Sequence, residues 1–243
     1  MSTLRSAYRR ARRAVRCAVG RDVRFLVQTD MPRERHGSEY GGWWICPTGL
    51  NPRAVVYSVG IGTDVTFDLS LMAAYGLAIH AFDPTPGSLA YLASIPLPEG
   101  FTYHQVALAA TDGLAAFLPP ASPDHISHTL LPDGQTDARA ITVKVRRLST
   151  IMRELGHTAI DVLKMDIEGA EYEVLDDLLT QRLPVRQILV EFHHRFTNVG
   201  VERTKRAVAN LNAAGYRIFA ASDNGEDYGF LLDDRGGTAT ART

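Results

Sequence analysis

Ala54-Val-Val-Tyr-Ser58-Val-Gly60-Ile-Gly62-Thr-Asp64-Val65 runs from an apolar stretch directly into two closely spaced glycines. Residues 54–59 have the length and content of a buried strand, and residues 66–76 have helical periodicity. The glycines let the backbone turn tightly and approach a ligand with no Cβ in the way. A second strand over residues 77–82 ends at Asp83, 23 residues after Gly60, where Pro84 and Pro86 stop it and fix the direction of the acid. Strand, glycine turn, helix and strand form the opening of an α/β sheet. The turn then sits at the carboxyl end of the first strand, where open sheets of this kind bind ligands. A buried tight turn would use the same glycines, so the rest of the chain decides.

The alternation continues. Helical periodicity over residues 87–94, 148–155, 170–179 and 202–214 is interleaved with strand-like runs at 101–107, 141–145, 162–165 and 188–192. Residues 216–221 and 228–232 close the series as an antiparallel pair. Repeated strand–helix alternation predicts a doubly wound, mostly parallel sheet covered by helices on both faces. The pattern divides the chain into an N-terminal segment (1–53), an α/β domain (54–232) and a tail (233–243) with no core-forming pattern. Residues 113–118 form an extra strand, and the polar loop 119–139, with His125, Ser127 and His128, has the length of a substrate lid.

Leu4, Tyr8, Ala11, Val15 and Val19 recur at helical spacing, with Arg5, Arg9, Arg12 and Arg16 on another face. Residues 1–25 carry a local charge of +7, and the other 218 residues carry −8. Such a basic helix docks its apolar stripe on the body or on a second copy in a homodimer, with the arginines solvated, or else meets an anionic surface. The acidic body and the lack of an RNA-binding motif argue against nucleic acid. Tyr40-Gly-Gly-Trp43-Trp44 marks an ordered connector that seals the core or covers the mouth of a site. No apolar run approaches the roughly 20 residues of a membrane span, and arginines interrupt the N-terminus where a signal peptide would be apolar. Cys17 and Cys46 are too few for a disulfide framework, and a cytoplasmic location is expected.

Which ligand does the glycine turn fit? A dinucleotide fingerprint needs glycine at position 65, and Val65 stands there, which disfavours NAD. S-adenosylmethionine has no phosphate and needs the turn without the full cradle. Asp83 is placed to accept both hydroxyls of a ribose, although an acid there also opens turns. Asp161-Val-Leu-Lys-Met-Asp166-Ile-Glu168-Gly-Ala-Glu171 ends a strand at Asp166 and crowds acids at a helix start. The helix dipole favours acids there, but it does not explain one closing a buried strand across the crevice from Gly60. Glu191-Phe-His193-His194 closes the next strand, and alternation lets one of the two histidines face the cleft as a proton acceptor. Asp166, Glu191 and His193 can also hold a divalent metal such as Mg²⁺, though their spacing does not demand one.

The stretches 55–68, 81–86 and 163–171, in that order and spacing, resemble the FkbM-type methyltransferases, as does Val190-Glu-Phe-His193. The resemblance covers about residues 40–232 and implies a Rossmann-like class I methyltransferase fold, with a seven-stranded sheet ending in an antiparallel strand. It also implies an S-adenosylmethionine-dependent O-methyltransferase acting on a hydroxyl of a sugar, glycoconjugate or natural product. By position, Gly60 and Gly62 would line the methionine part of the cofactor, Asp83 the ribose, and Val106 and Ala107 the adenine. Asp166 and Glu168 would face donor and acceptor, with His193 or His194 as base. Ser58 departs from the acid that many methyltransferases place near the methionine amino group, and Asp64 or Asp68 is expected to compensate. The alternatives are a non-catalytic adenosyl-ligand-binding protein and an NAD-linked oxidoreductase.

Overall fold

The computed structural model describes residues 13–118, 129–130, 139–196 and 198–233. In chain order the strands are β1 (Glu34–His36), β2 (Trp43–Ile45), β3 (Val56–Val59), β4 (Ile79–Phe82), β5 (Phe101–His104), β6 (Ala107–Leu108), β7 (Gly113–Leu118), β8 (Thr129–Leu130), β9 (Ile141–Arg146), β10 (Ile160–Met165), β11 (Val185–Glu191), β12 (Tyr216–Ala221) and β13 (Asp227–Leu232). The helices are α1 (Thr66–Tyr75), α2 (Pro86–Ala93), α3 (Leu148–Leu155), α4 (Glu171–Gln181) and α5 (Val201–Ala213). Residues 13–18 are also helical. Among the described residues no helix is long and apolar enough to cross a membrane.

The central sheet has seven strands in the order β12-β13-β11-β10-β3-β4-β5. From β11 to β5 all pairs are parallel, and β13 runs antiparallel to both β11 and β12. This is the sheet the resemblance implies. The chain leaves β3 toward β4 and β5, then returns to lay β10 and β11 on the other side of β3. That reversal makes the crevice between β3 and β10 the topological switch point. All four residues of β3 are buried, as a parallel strand covered on both faces requires.

Residues 141–145 do not join this sheet, contrary to the alternation. As β9 they belong to a second, four-stranded sheet, β6-β9-β7-β8, which also contains the extra strand over residues 113–118. The reason lies in the side chains. Ile141-Thr-Val-Lys-Val-Arg146 alternates, burying Val143 and Val145 and exposing Thr142 and Lys144. One wet face suits a strand of a sheet covered on one side, here parallel to β6 and antiparallel to β7, not one covered on both sides. The expected lid loop, with His125, Ser127 and His128, falls largely outside the described residues, as do Arg5, Arg9, Arg10 and Arg12 and the tail from 234.

Of the expected helix only residues 13–18 are described, and there the contacts to the body are made by charged side chains. Val15 and Val19 are 65% and 61% exposed, whereas Arg13 reaches the carbonyls of Val23 and Ser222 and the Tyr228 hydroxyl. Beside it Asp22 is buried and accepts hydrogen bonds from His194 Nε2 (2.8 Å), Arg195 Nη2 (2.9 Å) and Arg16 Nε (3.3 Å). Burial opposes charge on Asp22, but His194 and Arg195 hold its carboxyl below the usual range. Removing it leaves the buried His194 Nε2 without its acceptor and takes the shared carboxylate from Arg16 and Arg195, the latter keeping Glu226. Asp22→Ala is therefore expected to cost about 3 kcal/mol of stability in a urea melt. A midpoint within error of wild type would show that the network contributes nothing net.

Candidate functional site

A cavity of about 340 Å³ opens at the switch point, within the size range of small-molecule sites. Its floor is the turn after β3. Gly60 and Gly62 have φ of +72° and +52°, which a side chain rarely adopts. A Cβ on Gly60 would stand 1.7 Å from the Asp166 carbonyl oxygen, so only glycine lets the ends of β3 and β10 meet. Gly60 N–H donates to the Phe82 carbonyl, and Gly62 N–H donates to Asp83 Oδ2 at 3.0 Å. Asp83 Oδ1 accepts from the Thr85 amide and hydroxyl, at 2.9 and 2.6 Å. Thr85 in turn caps α2 through Ser88 N–H, with Pro86 at the first helical turn. Asp83 thus opens a turn and lines the cavity at once.

Of the expected residues, Gly60, Gly62, Asp64, Asp83, Ala107, Asp166 and Glu168 line the cavity. Ser58 does not. It is wholly buried behind the turn, beside the buried Asp68 carboxyl, whose charged form it favours. Asp68 is likewise buried outside the lining, and burial pushes its carboxyl up to about 6. Asp64 is the acid that reaches the cavity. Burial works against its charge, but Thr66, Ser38 and the nearby Lys164 hold it below the usual carboxylate range. Val106 does not line the cavity either. Its side chain packs into the core with Leu148 and Ile151, and its neighbour Ala107 faces the cavity.

Beyond β10, Glu168 holds a left-handed φ of +52°, a conformation costing a side-chain-bearing residue about 1–2 kcal/mol. Gly169 follows it at +102°, and Gly169 N–H donates to Glu171 Oε2. Glu171 is fully buried at the start of α4, where its Oε1 accepts from His193 N–H at 2.9 Å and meets His193 Nδ1 at 3.3 Å. The other ring nitrogen of His193 lies 3.3 Å from Glu168 Oε2 and 3.6 Å from Asp166 Oδ1. Burial alone would lower this imidazole's pKa. Glu171, Glu168 and Asp166 override it and push the value up to about 10.

Neither expected histidine lines the cavity: His193, its pKa pushed up by Glu171, Glu168 and Asp166, stands outside the lining, and His194 turns away to Asp22. The two residues lie past the end of β11, where the chain turns, and their rings diverge there. Asp166 remains at the cavity, and its Oδ1 accepts no hydrogen bond from any described residue. Asp166, Glu191 and His193 each offer an atom within 4.8 Å of the others, the set named for a metal. A protonated imidazole is no ligand, however, so that set holds a metal only once the His193 proton has left.

Among the charged lining residues, Lys164 is the one the sequence reading did not assign to the site. Lys164 and Glu191 share the cavity with Asp166, and Tyr40 and Trp43 reach it from the β1–β2 hairpin. The hairpin does both jobs open to it: Trp43 is buried in the core and lines the mouth, and Tyr40 stands 92% exposed at the rim. Ser38 Oγ donates to Asp64 Oδ2, pinning the hairpin tip to the glycine turn.

Comparison with known proteins agrees with this geometry. The Methyltransferase FkbM domain family matches residues 52–218. A human probable methyltransferase-like protein 24 is 31% identical over 164 residues, covering 66% of this chain and 38% of the relative. The chain thus spans about two fifths of that protein's length. The 31-O-demethyl-FK506 methyltransferase FkbM of Streptomyces tacrolimicus is 26% identical over 235 residues, covering 83% and 85%. A crystal structure of a methyltransferase FkbM from Methylobacillus flagellatus aligns over 74% of this chain and 44% of its own, with 13% identity and a TM-score of 0.46. With the family matched over more than half its length, this chain belongs to the FkbM methyltransferase domain family.

Proposed function

We propose that the protein is an S-adenosylmethionine-dependent O-methyltransferase whose acceptor is a hydroxyl of a sugar, glycoconjugate or natural product. The observation that carries this is a single cavity joining the Gly60–Gly62 turn, Asp83 and the open carboxylate of Asp166. The residues present fit the cofactor. Gly60 and Gly62 keep the floor clear of side chains, Asp83 faces the cavity as a ribose acceptor, and Ala107 leaves space for adenine. The acids Asp64, Asp83, Asp166 and Glu168 in the lining suit a cationic ligand. The Streptomyces tacrolimicus relative, named for O-methylation of a natural product, supports the acceptor class.

When bound, S-adenosylmethionine supplies a methyl group already activated by a sulfonium. The protein's remaining tasks are to place the acceptor hydroxyl in line and to take its proton. The Asp166 carboxylate takes that proton, with its buried Oδ1 turned to the His193 ring, and Glu168 orients the acceptor. His193 is a positioning residue. Its imidazolium, locked by Glu171, holds the Asp166 and Glu168 carboxylates side by side, so two acids that would otherwise repel can share the cavity wall. No step requires a metal.

Calorimetric titration tests the reading. Micromolar binding of S-adenosylmethionine and S-adenosylhomocysteine is expected, with none for NAD and at least a tenfold loss in Asp83→Ala. Turnover on a panel of hydroxylated acceptors should follow. Binding without turnover on any of them would favour the non-catalytic alternative, and binding of NAD instead would sink the proposal.

A further inference from the structure

We propose that Lys164 anchors the carboxylate at the amino-acid end of the cofactor. This rests on the cofactor reading above and assigns a group that reading leaves unplaced. S-adenosylmethionine carries an ammonium, a sulfonium and a carboxylate. The acids of the cavity receive the two cations readily, but a carboxylate entering the same wall meets repulsion unless a cation stands ready. Among the described residues lining the cavity, Lys164 is the one with a basic side chain.

Its placement fits the task. Lys164 leaves β10 two residues before Asp166, so strand alternation puts both on one face of the sheet. The stem is buried, and Nζ donates to the carbonyls of Val59 (3.2 Å) and Gly60 (2.5 Å), at the turn that forms the cavity floor. An ammonium has three N–H groups, and these bonds engage two. The charge also lies 5.5 Å over the Trp43 ring, which closes the same side of the cavity. Held by two neutral carbonyls and an aromatic face, the lysine cannot swing away. The competing explanation is structural: Lys164 ties down the turn and offsets the buried Asp68.

The two explanations part on a ligand that lacks only the carboxylate. Wild-type protein is titrated by calorimetry with S-adenosylmethionine and with decarboxylated S-adenosylmethionine, and Lys164→Met is titrated with both. A charge-assisted contact gives wild type an expected preference of about 10- to 100-fold for the carboxylate-bearing ligand. In Lys164→Met that preference should collapse to within about threefold, with the decarboxylated ligand still bound as wild type binds it. If the variant fails to fold, Lys164→Met combined with Asp68→Asn removes the buried counter-charge as well and is titrated instead, on the same criteria. A preference that survives the substitution overturns the inference, and so does equal weakening of both ligands, which is the structural role. Wild type binding both ligands equally overturns the inference alone. Wild type binding neither overturns the cofactor reading, and the inference with it.

Discussion

Asp166→Asn is expected to lower kcat by about 10²–10⁴-fold while S-adenosylmethionine affinity stays within a few-fold of wild type. The amide has the shape of the carboxyl group, so the Gly60 contact with the Asp166 main chain and the β3–β10 register are retained. What it loses is the ability to accept a proton. A sugar or polyketide hydroxyl is a poor acid, and its proton must leave as the new bond forms, so the loss falls on the chemical step rather than on binding. Single-turnover rates beside calorimetric affinities separate the two. A variant within tenfold of wild-type kcat would remove Asp166 as the base; a variant that loses cofactor affinity in step with kcat would make it a cofactor residue instead. His194→Gln is the informative companion, because His194 hydrogen-bonds Asp22 away from the cavity and should leave the chemical step near wild type in protein that remains folded.

The parts of the site that could be read from sequence are those fixed by backbone geometry. Gly60, Gly62, Asp83 and Asp166 all stand at strand ends, where apolar periodicity stops and position alone aims the residue at the switch point. The parallel strands of the central sheet were legible for the same reason, as continuous apolar runs mark strands covered on both faces, while the count of seven came from the family resemblance. The strand over residues 141–145 was misassigned because its existence was weighed and its alternation was not. Lys164 was legible in principle, two residues from Asp166 on the same face, but a lysine in a strand ordinarily signals solvent. What no local pattern carries is pairing across the chain. Arg13 meets Ser222 from 209 residues away, and Asp22 meets His194 from 172 away. The protonated state of His193 is likewise set by Glu171, 22 residues upstream, and not by its own neighbours in the strand.

That protonated state predicts how stability responds to pH. Unfolded histidine titrates near 6.5, and folded His193 near 10. Below 6.5 both states hold the proton and the cage contributes fully. Between those values the folded protein keeps a proton that the unfolded chain releases, so stability falls by up to about 1.4 kcal/mol per pH unit. Glu191 acts with the same sign. Burial first, then the charges of Asp166 and Asp227, push its carboxyl up to about 9, so it too holds a proton that the unfolded chain has lost. On the acid side the slope reverses. Burial lowers His80 to about 4 and also lowers His104 and His194, so these rings must charge on unfolding, and stability rises with pH up to about 6.5. The expected curve is a dome with its top near pH 6.5, to be read from urea midpoints between pH 4.5 and 9.5. His193→Gln should flatten the alkaline limb and leave the acid limb in place, whereas Glu191→Gln should flatten the alkaline limb and steepen the acid limb, because its unfolded carboxyl releases the proton from about pH 4.5 upward. If the alkaline limb keeps its slope in both variants, the His193 cage is not what holds the extra proton, and the positioning role given to His193 falls with it.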